Sequence, residues 1–279
     1  HLSLRRQRQM CIRDRFQSAY KFSRCASASA KPTMADVRTL NKVVRQVRGE
    51  PVVLVFYPLR GRKRIIGYPD ASYRNNEDKS SQRAYVIFLA EARLSGNPGG
   101  GTGSGNSFGS LVDYESSKIK RTTLSTTVAE LYAFMKCFGT CQFLRGLWMD
   151  ISGEDVELHM RTDANNLVTT ASTTHLPEQK ETIHMIQMLR KEACSGSIDD
   201  LAHIRTEVCL SDCLTKHSAK PDTLLKAVRT GVLPDVDMHP SFRDLMQHKA
   251  YAVRWLSVNV PVSYTHLRAH ETDSYLVCR

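Results

Sequence analysis

The chain reads as an α/β domain: a mixed five-stranded sheet, three antiparallel hairpin strands followed by parallel strands, flanked by helices. Three observations predict it. Short apolar or alternating runs, broken by turn residues, fill residues 51–118. One long apolar helical pattern then runs from Thr123 to Met149. Beyond it, strand-like and helical runs alternate to about residue 217.

The elements follow in order. "MADVRTLNKVVRQVRG" (34–49) spaces Val37, Leu40, Val43, Val44 and Val47 as a helix does, and Gly49 and Pro51 stop it. "PVVLVFYPL" is read as a short strand and "RGRKR" as an exposed basic turn. "RIIGYPDAS", "QRAYVIFLAEA" and "SLVDYESSKIKR" are further strands. Between the last two, Gly96–Gly109 lacks the G-K-[ST] ending of a phosphate-binding loop and reads as a surface insertion.

In the long helix, Leu124, Val128, Leu131, Met135 and Phe138 form one row, and Phe134, Cys137, Cys141 and Leu144 another. Such a helix is apolar over much of its girth and needs cover on more than one side. Glu130 lies in the second row, where a carboxylate is costly unless paired or bound to a cation. "VELHMRTDANN" alternates, with Val156, Leu158, Met160 and Thr162 facing one way and Glu157, His159, Arg161 and Asp163 the other. A helix over about 178–193, a strand "LAHIRTE" and a short helix around "LSDCLTKHS" follow. The tail, 218–261, reads as two short helices without recognisable chemistry.

Composition bounds the function only loosely. The 279 residues carry a formal net charge of +11, and no apolar run reaches membrane-spanning length. The ends need separate treatment. One DNA segment, CAG ATG TGT ATA AGA GAC AGG, encodes "QMCIRDR" (9–15), and its reverse complement encodes "PVSYTHL" (261–267). Residues 1–15 and 262–279 are therefore read as adapter-derived, disordered additions and left out of the fold. They carry +4 and 0, so the remainder keeps +7, which suits an anionic partner such as nucleic acid. Neither Cys137 with Cys141 nor Cys209 with Cys213 has zinc-ligand spacing, so these read as buried free thiols.

Four acids stand at strand ends or on helices facing the sheet: Asp70, Glu130, Asp163 and Asp212. Clustered, they would repel one another and call for dications. Each also has a bland reading, Asp163 as a helix cap and Asp212 as a surface acid. The motifs around them narrow the choice. "GYPDASYRN" (67–75), "LSTTVAELYAF" (124–134), "TDANNL" (162–167) and "LSDCLTK" (210–216) stand in order. By these the chain resembles the ribonuclease H domain at the end of a copia-type LTR retrotransposon Pol polyprotein.

The resemblance spans about residues 54–217, and residues 16–53 look like the C-terminal connection of the reverse transcriptase. No Y-x-D-D polymerase signature is present. The resemblance implies a ribonuclease H-like fold and an endonuclease cutting the RNA strand of RNA/DNA hybrids. Asp70, Glu130, Asp163 and Asp212 would be catalytic and hold two Mg2+ ions, or Mn2+ in their place. Asn165 and Asn166 would contact the RNA, and Lys118, Lys120 and Arg121 the phosphates of the DNA.

The implied partners are the RNA/DNA hybrid and the reverse transcriptase of the same polyprotein, without a membrane. The implied location is a cytoplasmic virus-like particle or the nucleus, and the oligomeric state is left open. Three departures stand out: Pro69 before Asp70, Val128 in place of a family Glu, and "KETI" (180–183) without the family His. They leave His203 and His217 as substitute candidates and keep open a decayed domain that only binds nucleic acid or is structural. A transposase or integrase would need a late helical Glu in place of Asp212.

Overall fold

The computed structural model describes residues 15–49, 52–92, 107–173, 180–234, 236 and 238–247. A 3-10 turn at Phe16–Ser18 leads into helices α1 (Ala19–Ser27) and α2 (Met34–Gly49). Strands β1 (Lys63–Ser72), β2 (Gln82–Ala92) and β3 (Ser107–Lys118) precede the long helix α3 (Thr126–Ser152). Then come β4 (Glu157–Thr162), α4 (Asn165–Ser172), α5 (Lys180–Ser195), β5 (Asp200–His203), α6 (Asp222–Thr230) and α7 (Pro240–Gln247). The sheet order is β3-β2-β1-β4-β5. Strands β1–β3 pair antiparallel, while β4 joins β1, and β5 joins β4, in parallel. This is the mixed sheet expected of the ribonuclease H-like fold.

Side-chain alternation gives the sheet two apolar faces. On one, Ile65, Leu158 and Met160 pack with Leu131, Phe134, Cys137, Phe138 and Cys141 of α3. On the other, Ile66, Tyr68, Val86 and Phe88 pack with Phe16, Leu210, Leu214, Leu224 and Val228. Each fully buried Phe or Leu contributes about 1.5–3 kcal/mol relative to exposure. The chain ahead of the sheet and the tail both enter these cores, through Phe16 and through Leu224, Val228 and Phe242. Ser125 caps α3 by accepting from the Val128 amide at 3.3 Å, and Gly153, at φ 70°, ends it in the left-handed region.

Several elements differ from the sequence reading. "PVVLVFYPL" is no strand: residues 52–59 run extended alongside the sheet without joining it. Val52 and Leu54 pack against the core while Val53 and Phe56 point to solvent, so the apolar run lacks the strict alternation of a half-buried strand. The helix foreseen around "LSDCLTKHS" is only a 3-10 turn, Asp212–Leu214. The strand in "LAHIRTE" stops at His203, and a 3-10 turn covers Thr206–Val208. Leu124 lies ahead of the helix cap and is exposed. Ser107, Phe108 and Gly109 belong to β3, and the rest of the Gly-rich insertion lies outside the described residues. So do residues 1–14 and 262–279.

Pro69 sits in the central strand opposite Tyr85 of β2. Pairing with β4 ends two residues earlier, at Gly67 with Met160. At Pro69 the strand therefore has a partner on one side only, which is where a missing donor is tolerated.

Gly67 sets how closely α3 approaches the sheet. A Cβ there would lie 2.7 Å from Cys137 Sγ and 2.9 Å from Cys141 Sγ. Gly67→Ala is expected to cost roughly 1–3 kcal/mol, the usual range for overpacking, read as a lower midpoint in urea denaturation. Cys137→Ala in the same chain removes the nearest sulfur and is expected to return part of that loss.

Candidate active site

The parallel register decides where the first two acids meet. Gly67 of β1 lies beside Met160 of β4, so three residues on, Asp70 in β1 and Asp163 just past the end of β4 stand level. Met160 faces α3, and the alternation puts the two acids on the opposite side of the sheet. The third comes from α3, which crosses the sheet close enough for Glu130 to reach the strand ends. The Ala71 amide donates to its carboxylate. Oxygens of Asp70, Glu130 and Asp163 lie within 4.8 Å of one another.

Asp70 and Glu130 are buried, at 1% and 8% exposure. Burial pushes the Asp70 carboxyl up to about 7, with the Asp163 charge adding to it and the Thr215 hydroxyl working against it. Burial pushes Glu130 up to about 9, followed by the charges of Asp70 and Asp163. Glu130 Oε2 is buried with no hydrogen-bond partner. A buried carboxylate oxygen without a donor is costly, and a cation satisfies it. The donors are all hard carboxylate oxygens, which fit Mg2+ or Mn2+.

The remaining residues frame this centre. Asp212 stands outside the triad, at the start of its 3-10 turn, in an ion pair with Lys216. Burial works against the Lys216 ammonium, but Asp212, Asp70 and Asp163 together hold its pKa above the usual value. Asp163 does not cap α4: Ala164 is the cap residue, and Asp163 Oδ2 instead accepts from Thr206 Oγ1 at 3.2 Å. Asn165 and Asn166 are exposed at the start of α4. Lys118 is in an ion pair with Asp78, while Lys120 and Arg121 are exposed beyond β3.

His203 lies 3.1 Å from the Asp163 carbonyl oxygen, whereas His217 is exposed just past Lys216. Val128 is fully buried, so the glutamate it replaces would sit in the core.

Two participants escaped the sequence reading. Thr215 donates to Asp70, and it stands inside a motif already singled out for its acid. His239, from the tail, has Nε2 3.2 Å from Asn165 Oδ1 and its amide on the Leu201 carbonyl at 2.9 Å. Burial, and then the His203 charge, lower its pKa. Nothing in local sequence points to a histidine 74 residues from its partner.

No family model and no curated protein matches the chain. Among solved structures it is similar to LC11-RNase H1, isolated from compost by a metagenomic approach and solved with an RNA/DNA hybrid. Identity is 19%, over 52% of this chain and 88% of that one, at a TM-score of 0.35. The N-terminal RNase H domain of a Mycobacterium tuberculosis protein, fused to maltose-binding protein, is similar at 11% identity over 68% and 98%, with a TM-score of 0.36. The protease-reverse transcriptase of prototype foamy virus is similar at 12% identity over 65% and 23%, with a TM-score of 0.28. At such identities and scores these likenesses decide nothing about the site; its side chains do.

The raised carboxyls make a prediction of definite sign. The folded chain holds protons on Asp70 and Glu130 that the unfolded chain, with carboxyls near 4, has released. Metal-free stability is then greatest below about pH 4 and falls as pH rises through about 7 and about 9. Melting temperatures from pH 5 to 9 are expected to decline without metal and to flatten with added Mg2+ or Mn2+. Glu130→Gln is expected to raise the metal-free melting temperature at pH 9. A metal-free melting temperature that rises over this range would contradict the reading.

Proposed function

We propose that this chain is a metal-dependent endonuclease that hydrolyses the RNA strand of RNA/DNA hybrids, in the manner of a retrotransposon ribonuclease H. The observation that carries the reading is the convergence of Asp70, Glu130 and Asp163, from three separate elements, around a buried and unpartnered carboxylate oxygen. Asp70, Glu130 and Asp163 would hold the metal, with Asp212 beside them. Divalent cations there supply neutralisation of the carboxylates and Lewis-acid activation of a phosphodiester for attack by water, leaving 5′-phosphate and 3′-hydroxyl ends.

The chain's own residues do the rest. Thr215 fixes the Asp70 carboxylate, Thr206 fixes Asp163, and Lys216 keeps Asp212 at the rim. Asn165 and Asn166, exposed at the head of α4 just past Asp163, would meet the 2′-hydroxyls that distinguish RNA from DNA. His239 orients Asn165 among the available amide rotamers. Lys120 and Arg121 offer exposed charge for phosphates. A copia-type parent element, linkage to a reverse transcriptase and work in a virus-like particle or nucleus belong to the same proposal and rest on the sequence motifs.

The test is a hybrid carrying a labelled RNA strand, incubated with the full chain and Mg2+ or with EDTA. Cleavage of the RNA strand is expected with metal alone. Asp163→Asn is expected to lose more than the roughly hundred-fold that removal of an outer partner costs a metal site. An intact RNA strand beside folded, hybrid-binding protein would sink the catalytic reading in favour of a decayed domain that only binds.

A further inference from the structure

On the side of the sheet where the 3-10 turn at Asp212–Leu214 lies, there is a hollow of about 350 Å3. That is within the size range of small-ligand clefts, about 300–1,000 Å3. Its walls come mainly from α1, from the turn and the residues just after it, and from α6, with Gln46 of α2 and Val52 completing them. Lys21, Lys216, His217 and Arg229 all line it, and among the described residues no Asp or Glu does. Among the described residues only Lys216 of these four holds a carboxylate, that of Asp212. Lys21 makes a hydrogen bond to the neutral Gln46 side chain at 2.7 Å.

A larger hollow, of about 720 Å3, shares Tyr20, Lys21, Gln46 and His217 with the first. Its wall, however, sets Asp36, Glu77 and Asp78 against Lys21, Arg24 and Lys42, so its charges balance and offer an anion no net attraction. The acid-free hollow is therefore the place where negative charge is welcome. Lys216 joins it to the acidic triad, since this one ammonium feels Asp70 and Asp163 while also lining the hollow. Positive groups that converge on one concave surface repel each other unless an anion lies between them. A chain of phosphates meets several of them at once.

We propose that this hollow binds the phosphodiester backbone of a nucleic-acid strand running on past the acidic triad, with Lys21 and Arg229 as phosphate contacts. The inference deepens the nuclease reading by giving the strand a path over α1 and α6, elements outside the ribonuclease H motifs. Its test works without cleavage, so the two can fail separately.

The experiment is fluorescence-anisotropy titration of labelled oligodeoxythymidine with the full chain in EDTA, over a range of salt concentrations. Lys21→Gln with Arg229→Gln is compared with Arg45→Gln plus Arg48→Gln, two exposed residues of α2 that line neither hollow. The hollow pair is expected to weaken binding roughly ten- to thirty-fold near 0.1 M salt and to lower the log–log salt slope by about 1.4, and the α2 pair by much less. Equal losses in the two pairs would mean general charge attraction and overturn the proposal.

Pyrophosphate, titrated calorimetrically, separates a strand from a small polyphosphate. Loss of pyrophosphate binding with unchanged affinity for the strand would also overturn it. Should the double variant melt earlier than the parent, Arg229→Gln alone is expected to lower the slope by about 0.7. With EDTA present the assay reads binding alone, so its outcome stands apart from the fate of the catalytic reading.

Discussion

The structure depends on the parallel pairing of β1 with β4. Setting Gly67 beside Met160 brings Asp70 and Asp163 to the same height, three residues past the last pair of the two strands. Gly67 serves the same end from within the strand. With no side chain there, Cys137 and Cys141 of α3 press against the sheet, and the approach of that helix carries Glu130 to the strand ends. A slip of one residue in the register would turn Asp163 to the other face and swap Met160 for a polar neighbour in the core. Core packing and the acidic cluster are thus fixed by one alignment, and neither can be changed without disturbing the other.

The cluster is held against its own repulsion by donors rather than by a counter-charge in its middle. The one ammonium nearby, Lys216, pairs with Asp212 at the rim. Inside, the Ala71 amide serves Glu130 and the Thr206 hydroxyl serves Asp163. Thr215 has a single proton but lies within reach of both Asp70 and the Asp212 carbonyl. With Asp70 protonated, the carboxyl donates to Thr215, which donates onward to Asp212. With Asp70 ionised, the hydroxyl turns its proton to the carboxylate. The centre thus has an internally consistent proton-loaded form and an ionised form, and cations favour the second.

The positions of Asp70, Glu130 and Asp163 were legible because each lies at a strand end or in a helix row, where periodicity defines its direction, whereas Asp212 stands in a 3-10 turn outside their cluster. Glu130 stood out as a carboxylate in an apolar row, and it is buried as that row implies. The alternation in β4 was legible for the same reason: Leu158 and Met160 face the core, while His159 and Arg161 meet Asp200 on the other side. What misled was apolarity without pairing. Residues 52–56 are apolar throughout, as a buried strand would be, but the Tyr57 amide finds the Ser110 hydroxyl instead of a ladder. The turn at Asp212 was read as a helix because apolar spacing over so few residues suits both. The partner of His239 is set wholly by tertiary structure, so no window of sequence contains it.

The distribution of charge ties the site to the rest of the chain. A net charge of +7, left once residues 1–15 and 262–279 are set aside, draws polyanions, yet the centre of the proposed chemistry is a knot of carboxylates. A phosphate approaching that knot is repelled unless cations neutralise it first, so the basic groups must hold the strand from beside it. Lys216 stands at this boundary, answering Asp212 on one side and the hollow on the other. Lys21 and Arg229 in the walls of that hollow stand on α1 and α6, and Phe16, Leu224 and Val228 fasten these parts of the chain to the apolar core beneath the sheet. The same packing that completes the core therefore sets positive charge next to negative, and metal and strand become mutually favourable: each neutralises a field that would oppose the other.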